Sequence, residues 1–368
     1  MEIILLDNKS ESDWNAFCFK SSGSWFWHTT HWMNYVLAYR PEYDPVQMSF
    51  LVRENNKVVA VCPLVLENNA GQKEFSFSSF AVPSPALSDE IGNRQRKKVL
   101  DFIFGYIDDQ AKAHAVKKAC FRFSPLADLC VQSKWYPSNY LFKYGYLDAT
   151  FNTQVLDISP GPEKLKSDVR KGHKYDINRA SKMLDAHIYD AESIDRATFD
   201  LYCELHHKDA GRVTRSQITF DMMFDWIKEG YGLLVGATLK GEDRFVGFSY
   251  HIRYKSGAYY ASACSDPDYA EMPIAHCILW ESIRRLHENG TRFFEIGWQF
   301  YGPEFHYHTS PKEHQISKFK RGFGGEPVSQ IVGEKYYDPD LFENEYARKR
   351  GNYKQYIVTG YGRDNHEK

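Results

Sequence analysis

The chain has 368 residues, 43% hydrophobic and 26% charged, with a formal net charge of −2. That length predicts two domains or three, and the near-neutral balance excludes a molecule that attracts polyanions as a whole. Aromatic residues reach 16%, more than binding surfaces alone would use, so most belong to cores. The seven cysteines (18, 62, 120, 130, 203, 264, 277) are scattered and form no Cys-x-x-Cys pair. Such spacing argues for reduced thiols in a cytoplasm rather than a disulfide framework or a zinc site. The start, Met1-Glu-Ile-Ile-Leu-Leu-Asp7, lacks the basic region and long apolar run of a signal peptide. No apolar run approaches the ~20 residues needed to cross a bilayer. The expectation is a cytoplasmic protein without a transmembrane segment.

In chain order, 3–6 reads as a strand, and helices are expected from about 12 and from 30 to 39. Two β-rich runs, 47–53 and 57–66, flank Asn55-Asn56 as a hairpin turn. A third strand covers 73–82, and the loop after it holds Pro83, Pro85 and Asp89. Apolar residues at 99, 102, 103, 106, 107 and 111 predict a helix over 94–115. Strands follow at 118–123, 140–146 and 153–158.

Ser159-Pro-Gly-Pro162 is a strong break. A helix is expected from 163 to about 184, another over 195–209, and a third from 219 to 228 capped by Thr219. Strands are expected at 232–239, 244–254 and 257–265, then a helix from Pro273 to Gly290, and a strand at 292–296. Both halves thus read as helices, three antiparallel strands, a helix and returning strands. The fold class is α/β (α+β type): two tandem domains, each a mixed, largely antiparallel sheet flanked by helices. The boundaries predicted are 1–158, 159–330 and a C-terminal helix or tail over 331–368.

Four constellations could carry chemistry. Between 163 and 182 lie seven Lys/Arg against three acids; this is either a solvated helix face or a phosphate-binding surface centred on Arg170, Lys171 and Lys174. After the 195–209 helix, Arg212 and Arg215 suit bidentate capture of phosphate or carboxylate, and His207 could take a proton from an attacking amine. His306, His308 and His314 have no carboxylate at ligand spacing, so no metal site is expected. Gln315–Gly325 packs Lys318, Lys320, Arg321, two phenylalanines and three of its glycines into a cationic turn. The chain lacks Gly-x-Ser-x-Gly, His-Glu-x-x-His, Walker and Gly-x-Gly-x-x-Gly motifs.

Read together, five stretches resemble the Fem-type aminoacyl (peptidyl) transferases of peptidoglycan bridge synthesis, within the GNAT acyltransferase superfamily. They are Asp168–Lys182, Ala258-Tyr-Tyr-Ala-Ser-Ala263, the helix from Trp280 to Gly290, Phe293-Phe-Glu-Ile-Gly297 and Phe319-Lys-Arg-Gly-Phe-Gly-Gly325. The resemblance covers about 160–330, and over 1–158 rests on element order. It implies two tandem GNAT-like domains with a cleft at their junction and acyl transfer to an amine, from aminoacyl-tRNA in the characterised branch.

Carried over, Phe319 and Lys320 stand at the donor end, Arg212 after the second-domain helix, and Trp32 and Asp89 near the acceptor, although the spacing around Asp89 differs. Physically, acyl transfer builds an oxyanion and expels an anionic leaving group, both of which an ammonium at Lys320 stabilises. Proton acceptance would fall to His207 or Glu295; Tyr260, Trp298 and Phe319 would wall the cleft. Acyl-CoA members of the superfamily use a Gly-rich pyrophosphate loop, whereas here Asp266-Pro-Asp-Tyr-Ala-Glu-Met272 offers three carboxylates and no glycine.

The function expected is therefore aminoacyl or acyl transfer, with no permanently bound cofactor, to an amine of a cell-envelope precursor carried on a lipid or nucleotide. Aminoacyl-tRNA is the favoured donor, with tRNA as a partner; acyl-CoA is the other donor considered. The rival readings are acyl-CoA-dependent acylation of a nucleotide-linked amino sugar and, in another class, a non-catalytic RNA-binding module using the 163–182 helix.

Overall fold

A computed structural model describes residues 1–134 and 137–359. Its contacts divide into two compact units. The first comprises Met1–Thr153, Trp298–Lys318 and Val328–Lys368, the second Gln154–Gly297 and Phe319–Pro327.

In the first unit, strands Phe50–Glu54 and Lys57–Cys62 pair as a hairpin. Asn55 and Asn56 between them adopt φ of 50° and 61°, the left-handed pair a tight hairpin turn requires. Pro63 lacks an amide hydrogen for the ladder, and the expected 57–66 run splits into Lys57–Cys62 and Val65–Asn69. The helix Asn93–Ala113 buries Val99, Leu100, Ile103, Phe104, Ile107 and Ala111, a stripe at helical spacing. It shares a core with Trp14, Phe50, Phe75 and Phe121, each burial contributing about 1.5–3 kcal/mol.

Two local expectations fail here. Residues 140–146 form a 3-10 turn, Tyr140–Tyr144, because Asn139 accepts the Leu141 amide and Gly145 ends the turn at φ 82°. The strand expected over 73–82 stops at Phe75; the buried Glu67 carboxylate takes the amides of Ser78 and Ser79 and pulls the backbone aside. Residues 331–359 are ordered parts of this unit: strand Val332–Tyr336 pairs with Lys118–Arg122, and helix Pro339–Thr359 follows. The rest of the expected tail, 360–368, lies outside the described residues.

The second unit is built on one seven-stranded sheet. Over 151–330 the elements in order are β1 (Phe151–Asp157), α1 (Pro162–Asp168), α2 (Lys171–Met183), β2 (Leu184–Tyr189), α3 (Arg196–Ala210), α4 (Gln217–Lys228), β3 (Gly232–Leu239), β4 (Phe245–Tyr254), β5 (Gly257–Ser265), α5 (Ile274–Glu288), β6 (Phe293–Gln299), α6 (Pro311–Arg321) and β7 (Glu326–Gln330). The strand order is β2-β3-β4-β5-β6-β1-β7. From β2 to β5 the neighbours are antiparallel, and β5 and β6 are parallel.

The expected 163–184 helix is two helices: Val169 is extended, and the Arg170 amide donates to the Gly322 carbonyl at 2.8 Å. Thr219 does not cap α4; Ser216 occupies that position, and the Thr219 hydroxyl donates back to the Ser216 carbonyl. The cationic turn expected at 315–325 is helical through Arg321, so Lys318 and Lys320 stand on α6. Among the described residues no helix is long and apolar enough to cross a membrane.

Candidate active site

The parallel strands β5 and β6 part company early. They pair at Gly257–Phe293, Ala258–Phe294 and Tyr259–Glu295 only, although β5 runs to Ser265 and β6 to Gln299. On its other edge β5 carries a bulge: His251 faces Tyr260 while Tyr250 faces Ser262, leaving Ala261 over. A bulge bends its strand and breaks the alternation of faces. Tyr260 consequently meets the His251 ring at 5.5 Å, and Ser262 accepts the Tyr202 hydroxyl on the opposite face. The sheet is forked just beyond Tyr259 and Glu295.

Lys320 projects into that fork. Its ammonium lies 5.8 Å from the Tyr260 ring centroid. A Cβ on Gly297 would come within 2.7 Å of it, so the missing side chain at 297, where φ is +100°, makes room for the lysine. Burial pushes the Lys320 pKa down to about 8, and the negative charge of Glu295 pulls it part of the way back. Glu295 itself is buried on β6.

The backbone under Lys320 is pinned by a histidine. His173 Nε2 donates to the Phe319 carbonyl at 2.8 Å, and Nδ1 accepts from Arg170 at 3.1 Å, which together fix the tautomer. Its ring packs on His276 and Phe323, and Gly322 leaves the space that the ring occupies. Burial pushes the pKa of His173 down and that of His276 to about 4, so both are neutral. A third buried histidine, His251, has its pKa pushed by burial to about 3 and is held by the hydroxyls of Ser249 and Ser282 at 2.8 and 2.7 Å.

Residues 167–308 match the model of the acetyltransferase (GNAT) domain. The protein carries a GNAT acyltransferase domain. FemX shares the fold at 12% identity and a TM-score of 0.65, over 93% of this chain and 99% of its own. L-PGS from Bacillus licheniformis does so at 10% and 0.59, over 94% and 97%. A tandem GNAT protein from the clavulanic acid biosynthesis pathway follows at 13% and 0.50, over 92% and 99%. No curated protein matches the chain. The fold is thus that of two GNAT-like domains in tandem, and the forked sheet lies in the GNAT domain.

Of the residues singled out in the sequence, Lys320, Tyr260 and Glu295 come together at the fork, while the Phe319 ring packs on His173, His276 and Phe323. Of the three proposed phosphate ligands, Arg170 donates to His173 and Lys174 to the Ser167 carbonyl at 2.9 Å, while Lys171 is exposed. His207 and Arg215 belong to a different cluster. His207 packs on Phe220 and His206, and the Arg215 guanidinium lies over Phe220 and against Met223. Arg212 is exposed after α3.

Trp32, Asp89 and Trp298 fall in the first unit. Trp32 stacks on Tyr35 and meets Trp27 edge-on. Asp89 takes the Ser22 amide at 2.8 Å and pairs with Arg96, and Trp298 sits among Phe80, Phe151, Phe300 and Tyr307. His306, His308 and His314 have separate neighbours, namely Lys349, the Tyr356 ring and the Thr309 hydroxyl.

Two of the three carboxylates of 266–272 are engaged by cations from outside the loop. Lys208 binds Asp266 and Asp268, each at 2.6 Å; Arg244 approaches Asp266 at 3.7 Å, and Arg179 donates to the Glu271 carbonyl. The sequence reading passed over His173, His276, His251 and the role of Gly297. His173, three positions from Arg170 in a basic stretch, and Ser249 with His251 in an otherwise apolar strand were the signals available.

Proposed function

We propose that the protein transfers an acyl or aminoacyl group from a carrier to an amine of a cell-envelope precursor. The observation that carries this is Lys320, an ammonium set by burial to a pKa of about 8 at the fork of the GNAT sheet. The amine nitrogen attacks the carbonyl carbon of the donor ester or thioester, and the carbonyl oxygen becomes an oxyanion. Collapse re-forms the carbonyl, breaks the bond to the carrier and leaves the acyl group on nitrogen. A fixed ammonium lowers the energy of the oxyanion, and one with a pKa near the working pH can also protonate the departing oxygen or sulfur. Glu295, close enough for its charge to act on Lys320, is the group we assign to receive the proton lost by the amine.

Envelope chemistry is supported by the fold shared with FemX and L-PGS and by the Fem-type motif series. The pairing of Asp266 and Asp268 with Lys208 and of Asp266 with Arg244 favours a second reading for the donor, acyl-CoA in place of an aminoacyl carrier. The test is turnover with acyl-CoA and aminoacyl-tRNA donors against a panel of envelope-precursor amines. Lys320→Ala and Lys320→Met should lose about 10²–10³-fold in kcat while the folded protein keeps its native circular dichroism spectrum. Wild-type turnover in a folded Lys320→Ala protein would overturn the assignment.

A further inference from the structure

The first unit contains a cavity of about 210 Å³ that the fork does not explain. Its wall is aromatic, centred on Trp298, with Phe151, Phe80 and Tyr307 edge-on to it at 5.0, 5.9 and 6.1 Å. Two carboxylates and one guanidinium residue, Arg122, also line it; the Arg122 guanidinium lies over the Trp27 ring at 5.4 Å. Glu334 is engaged by Lys349 at 2.6 Å and Lys118 at 3.2 Å. Glu304 is different: among the described residues it has no ion-pair partner, and burial, the sole influence on its carboxyl, pushes the pKa up.

A half-buried carboxylate without a cation has lost hydration and gained no counter-charge. A ligand that brings a cation restores that balance, and aromatic rings favour the same sign of charge. A divalent metal is a poor candidate, because it requires several oxygen ligands and the cavity has one uncommitted carboxylate. An anion adds like charge beside Glu304, and a neutral ligand leaves Glu304 as it was.

We infer that this cavity binds a primary ammonium on a flat or apolar stem, with Glu304 as the counter-ion and the rings around Trp298 holding the stem. That the ammonium belongs to the acceptor of acyl transfer rests on the function proposed above; the preference of the cavity for an ammonium does not.

The probes are phenethylamine, its neutral analogue 2-phenylethanol and the anion phenylacetate, titrated into the full chain by calorimetry at neutral pH. Phenethylamine should bind at least tenfold tighter than 2-phenylethanol, and phenylacetate should give no heat of binding. Glu304→Gln should erase the tenfold margin, and Lys320→Ala should leave it intact. Equal affinity for amine and alcohol, or an unchanged margin in Glu304→Gln, would overturn the site. A margin that persists in a protein shown to transfer nothing would keep the site and remove only its link to the acceptor.

Discussion

Two lysines, one in each unit, are taken out of water and driven in opposite directions. In the second unit, burial brings Lys320 down to a pKa of about 8, with Glu295 compensating in part. In the first unit, burial acts on Lys118 in the same sense, but Glu334 and Glu345, at 3.2 and 2.9 Å, outweigh it and hold its pKa above the usual value. Lys118 belongs to a closed network: Glu334 also binds Lys349 and the Tyr336 hydroxyl, and Tyr336 binds Glu345. Such a network ties strand Lys118–Arg122, strand Val332–Tyr336 and helix Pro339–Thr359 to one another. The contrast separates a lysine kept charged for cohesion from one kept near its titration point for chemistry.

Breaking the network should give the largest effect. Glu334→Gln leaves two buried ammonium groups short of a counter-charge, which costs about 3 kcal/mol, measurable as a lower urea midpoint. The sign with pH follows from Glu334. Burial alone would raise its pKa, but Lys118 and Lys349 hold it below the ordinary glutamate value of 4.5. The stability it supplies is present above that value and fades as pH falls through the lower folded pKa, so wild type and variant should converge in acid.

A smaller effect tests the other lysine. If the Lys320 ammonium is the active form, kcat/KM should fall as pH rises through about 8, by about tenfold per pH unit. Lys320→Arg, whose guanidinium stays charged, should lose that limb while keeping part of the rate. A limb unchanged in Lys320→Arg would assign the titration to another group.

The smallest effect falls on the residue beneath the lysine. His173→Ala removes the bond to the Phe319 carbonyl and should lower kcat about tenfold with little change in KM. It should also move the alkaline limb upward, as water reaches the ammonium. A change in melting temperature alone would reduce His173 to a packing role.

Much of this was readable in the chain, and the exceptions share a cause. The helix Ile274–Glu288 follows from its apolar spacing and the Asn55-Asn56 hairpin from turn chemistry, because local sequence dictates both. The break between α1 and α2 depends on an Arg170 amide reaching Gly322, and the pairing of Asp266 on cations at 208 and 244. Neither partner is near in sequence. Lys320, Glu295 and Tyr260 could be named beforehand because their chemistry is local to each side chain. His173 could not, since its part depends on which carbonyl it reaches. Lys318, Lys320 and Arg321 read as a turn because the glycines after them mask a helix ending at Arg321.

Those glycines have a bearing on how related chains are found. A Cβ at Gly325, where φ is +76°, would lie 2.5 Å from the Val155 carbonyl oxygen, and one at Gly322 would overlap His173. The first is a steric requirement of a tight backbone crossing, indifferent to any reaction, and the second makes room for the His173 ring. A pattern search weighted on Gly-Phe-Gly-Gly would gather chains that make the same crossing, active or not. Weighting it instead on a lysine two positions before the first of these glycines, together with a glycine at the position of 297, would select for the fork and its charge.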